Sequence, residues 1–183
     1  MPVQIGATAH NFSNPTGLLS DCHRRIEMFL RSLQAVASGG RQLDPERRSA
    51  LGLALRYFRE SAPKHTADEE ESLFPRLRSL HSEQVKSALA DVERLEHDHR
   101  EADALHRRVD EMGTLWLHTG DLSAADLAQF REAVARLAEI YPRHIEVEDK
   151  VLFPAADSAL SPQQKSEIAA EMAGRRSVKL TTL

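Results

Sequence analysis

The chain of 183 residues has one cysteine, Cys22, so no intrachain disulfide is possible and a reducing compartment, the cytoplasm, fits best. Aromatics make up only 5% of it and glycine and proline eight residues each, which argues against a sheet-rich or low-complexity chain. No apolar run exceeds the stretch around 50–55, far short of a membrane span. The opening residues MPVQIGATAHNFSNPTG have neither a basic nor an apolar block and do not read as a signal peptide. The net charge of −4, without a basic cluster, excludes a nucleic-acid or membrane-surface role on electrostatic grounds. What remains is a chain 41% hydrophobic and 28% charged, with nine histidines. That composition suits one helical domain over 1–183.

Punctuation divides the chain into four long helices and a short fifth. The first spans about 18–38 and stops at Gly39-Gly40. The second is capped by Asp44 with Pro45 at its first position and runs to about residue 80. The third starts after Ser82 and ends near 118, before Gly120. The fourth is capped by Ser123 and reaches about 157. Ser161-Pro162-Gln163-Gln164 reads as a capping box opening a fifth helix to about 174, with a frayed tail after it. Short connections make neighbours antiparallel. The expected fold is all-α, an up-down-up-down four-helix bundle over about 18–157 with a short C-terminal helix and tail over 161–183.

Each long helix shows an apolar seam at steps of three and four. Leu19, Ile26, Leu30 and Leu33 mark the first, and Leu51, Leu55, Phe58 and Leu73 the second. Val85, Ala88, Val92, Leu95, Ala102 and Val109 mark the third, and Leu127, Phe130, Val134, Leu137 and Val151 the fourth. Every seam is interrupted by histidine or glutamate: His23, His65 with Glu69, His99, and His144 with Glu148. Such groups are costly inside a core unless something compensates them.

Two segments repeat. Residues 62–75 and 141–154 both read P-[KR]-H-x3-E-[ED]-x2-L-F-P. The repeat implies two related helix hairpins, so the histidine of the first helix needs a counterpart in the third. His23 precedes His65 by 42 residues; His99 precedes His144 by 45 and His97 by 47. His99 lies on the seam, whereas His97 is about 200° round the helix, so His97 reads as surface. In each i, i+4 pair the histidine and glutamate share one face and reach the same or adjacent ions. Imidazole and carboxylate together suit iron, zinc or manganese. The expected ligands are therefore His23, His65, Glu69, His99, His144 and Glu148. Two six-coordinate ions sharing these six, with a bridging oxo or hydroxo group, would keep positions for dioxygen, peroxide, water or nitric oxide. Pro63 and Pro142, two residues before the histidines, are read as kinks that aim the ligand pairs inward.

The doubled H-x3-E-x3-LFP pattern, with a seam histidine in each preceding helix, resembles the hemerythrin-like, or HHE cation-binding, family. The resemblance covers about 18–157 and implies a four-helix bundle with a non-haem di-iron centre. Where hemerythrin has a further histidine, four residues after the third-helix ligand, this chain has Asp103. The matching residue after His23 is Glu27. The resemblance thus points away from the oxygen carrier and towards a branch with four histidines and two glutamates. Glu27 and Asp103 become candidate outer partners or extra ligands. His106 lies about 10.5 Å along the helix from His99; it is a candidate second partner or channel residue. Tyr141, one turn before His144, is read as core packing, and His10, His81 and His118 as surface. The expected function is binding or reduction of dioxygen or peroxide at two iron ions. The alternatives are an oxygen-, metal- or nitric-oxide-responsive regulator acting through a partner at the fifth helix, iron storage or delivery, or a structural metal. Oligomeric state is not legible.

Overall fold

The computed structural model describes residues 10–80 and 83–179, and within these the side chains of Glu83, Gln84 and Ala88 are not described. The opening residues, His81, Ser82 and the seam side chain of Ala88 therefore lie outside the described set. Everything regular is helical; the one β-type feature among the described residues is an isolated bridge between Gln42 and Asp121. Helix α1 is Pro15–Ser38, α2 Pro45–Glu60, α3 Ala62–Ala67 and α4 Phe74–Arg78. Helix α5 is Glu83–Thr119, α6 Ala124–Val147, α7 Phe153–Ala159 and α8 Pro162–Arg175. Between α3 and α4, and again between α6 and α7, the chain winds as a π-helix, over Asp68–Leu73 and Glu148–Leu152.

The caps follow from local chemistry. Asp44 accepts the Arg47 amide at 2.8 Å, Ser123 accepts that of Asp126 at 3.0 Å, and Ser161 and Gln164 form the reciprocal box. Helix α1 begins three residues earlier than the sequence reading, because Asn14 accepts the Gly17 amide at 3.0 Å and Pro15 takes the first helical position. The second long helix is not continuous: it breaks at Ser61, beside Pro63, and then widens into the first π-helical segment.

Both π-helical segments sit at the same place in the repeat. The Phe74 amide donates to the Glu69 carbonyl and the Phe153 amide to the Glu148 carbonyl, five residues back in each case. Pro75 and Pro154 follow. Neither has an N–H for the carbonyl four residues before it, so a regular α-turn would lose a bond there. The wider turn moves the pairing off the proline. It also shifts the seam: Leu152 is buried and Val151, expected inward, is 43% exposed.

The chain forms two compact units. The first gathers Met1–Arg25, Lys64–Glu96 and Ile145–Leu183. Its core includes Leu19, Leu73, Phe74, Leu95, Leu152, Phe153, Ile168 and Met172. The second gathers Ile26–Pro63 and His97–His144. There Trp116, fully buried, packs edge-on against Phe130 with centroids 5.5 Å apart and donates to the Arg41 carbonyl at 2.6 Å. Its two loops are tied: the Leu43 amide donates to the Gly120 carbonyl at 2.9 Å. Gly120 ends α5 at φ +76°, a left-handed conformation suited to glycine. No helix among the described residues is long and apolar enough to cross a membrane.

Candidate metal centre

Four of the expected ligands meet inside the first unit. His23 comes from α1, His65 from α3, and Glu69 and Glu148 from the two π-helical segments. Each offers a ligand atom within 4.8 Å of the others, and all four are buried, both glutamates completely. His23 Nε2 lies 3.1 Å from Glu148 Oε2 and 4.0 Å from Glu69 Oε1, and His65 Nε2 lies 3.3 Å from Glu69 Oε1. The imidazole rings of His23 and His65 stand edge to face, centroids 4.9 Å apart.

These distances fit a divalent transition-metal ion. Nitrogen and oxygen ligands at roughly 2.0–2.2 Å from a common centre lie about 3–3.5 Å from one another. The charges fit as well. Two fully buried carboxylates side by side repel, and a cation among them is the economical remedy. His23 registers this field. Burial alone pushes its imidazole down, but the bonds to Asp149 and Glu148 and the charge of Glu69 outweigh it and lift the pKa to about 10.

A residue that the sequence reading did not single out orients His23. Asp149 Oδ1 lies 2.9 Å from His23 Nδ1 and accepts the Ser20 hydroxyl at 2.7 Å. This directs the Nδ1 proton to the carboxylate and leaves Nε2 facing the glutamates. Phe153, the phenylalanine of the repeated LFP, stacks on the His23 ring at 5.4 Å and 14°. The available signal was the acid that follows the glutamate in both repeats. Asp149→Asn is expected to weaken metal binding about 10- to 100-fold with helix content unchanged, as read by metal titration beside circular dichroism.

The other expected residues fall in the second unit. His99 and His144 lie together there, centroids 4.7 Å apart. Asp98 Oδ2 is 3.4 Å from His144 Nδ1, the same kind of carboxylate partner that His23 has. Glu27 is 43% exposed and faces Arg31 at 3.9 Å, and Asp103 is exposed and paired with Arg107. The carboxylate placed on His23 is thus Asp149, with Glu27 in a surface pair. His97 and His118 are exposed. His10, read as surface, is half-buried: its amide donates to the buried Asp21 carboxylate at 2.8 Å. The tail is not frayed at its start, since Arg175 and Arg176 both reach Asp68.

His106 lines a cavity of about 250 Å³ with Leu55, Phe58, Pro63 and Val109, and its Nε2 is 2.8 Å from the Tyr141 hydroxyl. Phe58 stacks on it at 4.2 Å. Burial pushes its pKa down to about 4. It is therefore neutral when folded and takes up a proton more readily when unfolded, so its contribution is lost as pH falls from 6.5 through 4. Urea midpoints are expected to drop more steeply across that window in the wild type than in His106→Phe.

The family model described as the hemerythrin HHE cation-binding domain matches residues 14–156. A protein of Haemophilus influenzae, named only as uncharacterized, is 26% identical over 182 residues, spanning 92% of this chain and 93% of its own.

Proposed function

We propose, because this chain belongs to the hemerythrin HHE cation-binding family, that its His/Glu cluster holds iron, two ions per chain, and binds or reduces a small oxidant, dioxygen or peroxide. That the chain is a metal-binding protein follows from the family and the cluster together. The observation that carries the finer reading is the meeting of His23, His65, Glu69 and Glu148 in one buried interior. Iron in such a donor set supplies electrons and an open position for a small ligand.

The chain's own residues supply the rest. Glu69 and Glu148 bring the negative charge that offsets the ions. Asp149 fixes the proton of His23 on Nδ1, and Phe153 covers the other side of that imidazole. The repeat supports a second ion position, in which His99 and His144 take the places of His23 and His65. It equally supports two antiparallel hairpins in an up-down-up-down four-helix arrangement within one domain. The proposed partner is a small molecule, and the single cysteine favours the cytoplasm.

Elemental analysis of protein purified without added metal, with absorption spectra before and after peroxide, tests this. About two irons per chain, with near-ultraviolet bands that change on peroxide, are expected. Zinc alone and a featureless spectrum would end the oxidant reading and leave a metal-binding protein.

A further inference from the structure

The two copies of the repeat part company on one face. Asp68, Glu71, Ser72 and Arg76 in the first copy stand where the second has Val147, Lys150, Val151 and Ala155. Those four polar residues are the ones that α8 meets, within the first unit. Arg175 Nη1 donates to Asp68 Oδ1 at 3.0 Å and to the Ser72 hydroxyl at 2.9 Å, and its Nη2 donates to Glu71 Oε2 at 3.0 Å. Arg176 Nη2 lies 2.6 Å from Asp68 Oδ2. Arg76 reaches back to Glu171 at 2.8 Å. In the second copy nothing comparable is called for: Lys150 is 70% exposed on Glu146, and Val151 faces out.

Asp68 is fully buried and adjoins the ligand Glu69. An unpaired carboxylate there would repel Glu69 and compete for the cation that Glu69 holds. Two guanidinium groups, one on each oxygen, neutralise Asp68 and fix its direction. Arg175 also bonds both Glu71 and Ser72, so it spans the π-helical turn that presents Glu69. That turn has the weaker, wider backbone pairing of a π-helix, and α8 is the element that braces it.

We propose that Arg175 and Arg176 are positioning residues, which act through Asp68 and the first π-helical segment to hold Glu69 on its metal ion. This rests on reading His23, His65, Glu69 and Glu148 as an ion site. It makes α8 part of the metal centre, although α8 lies beyond the residues that match the family model.

Titration of the metal-free full chain with cobalt(II), followed by its visible absorption, tests the proposal. The bands report the ligand set and the titration the affinity. Arg175→Ala/Arg176→Ala is expected to weaken binding of the first equivalent on the order of tenfold or more and to change the band shape, with helical circular dichroism retained. Lys165→Ala breaks a different anchor of α8, the Lys165–Asp157 pair at 2.6 Å, and is expected to titrate as the wild type. A folded double variant with wild-type titration, or an equal loss in Lys165→Ala, overturns the proposal. If the double variant does not fold, Arg175→Lys decides. It keeps the charge but cannot reach Asp68, Ser72 and Glu71 together, so weaker binding is expected and wild-type binding overturns the proposal. Glu69→Gln separates the two layers: if it binds cobalt as the wild type does, the ion-site reading itself fails, and the proposal with it.

Discussion

Removing metal from this protein is expected to lower its thermal midpoint by roughly 10 °C. An ion present at about a thousand times its dissociation constant stabilises the folded state by about 4 kcal/mol. In a chain of this length each kcal/mol is worth about 2–4 °C. The wild-type apoprotein must keep Glu69 and Glu148 buried together without the divalent charge between them. Glu69→Gln/Glu148→Gln removes that repulsion. Its apo form is expected to melt above the wild-type apo form, and its midpoint is expected to ignore added metal. Circular dichroism melts with chelator and with iron(II) or cobalt(II) measure both. Identical wild-type midpoints in the two conditions would mean that the quartet holds no ion.

The second large effect is expected far from any ligand in sequence. Trp116→Ala should cost about 3–5 kcal/mol, as truncation of a buried aromatic does. Small proteins have only about 5–15 kcal/mol in total, so roughly a fifth of the stability or more is at stake. The ring is fully buried, meets Phe130 edge-on and lies 5.1 Å beneath the Arg47 guanidinium. Its indole N–H bonds the Arg41 carbonyl and so secures the loop between α1 and α2. Trp116→Phe keeps most of the packing and loses that bond, for an expected cost of about 1–2 kcal/mol. Urea unfolding separates the two. A loss under about 1 kcal/mol in Trp116→Ala would show that the site collapses around the missing ring.

Much of this was legible in the residues. Asp44-Pro45, Ser123 and Ser161-Pro162 mark helix starts because capping is local chemistry, settled within four residues. His23, His65, Glu69 and Glu148 stand out because polar groups on an apolar seam demand a reason. What escaped depends on partners distant in sequence or on small changes of winding. Asp149 looks like any surface acid until the fold carries it to His23, 126 positions away. Arg175 looks like part of a loose tail until it meets Asp68, 107 positions away. Val151 was placed inward by a wheel of 3.6 residues per turn, but the turn there is wider. Asn14-Pro15 is the same cap grammar as Asp44-Pro45, and it sets the start of α1.

The wider turns also constrain how the chain can change in length. A π-helical turn holds one residue more than an α-turn fitted to the same place. Deleting a residue within Asp68–Leu73 or Glu148–Leu152 would restore α winding. The flanking helices would keep their places, but the residues within the turn would shift by one position, about 100° round the axis. Either the glutamate would leave the site or the Leu-Phe pair behind it would leave the core. Deletions should therefore be poorly tolerated in both of these segments. The proposed metal ligands are fixed by residue count as firmly as by residue type.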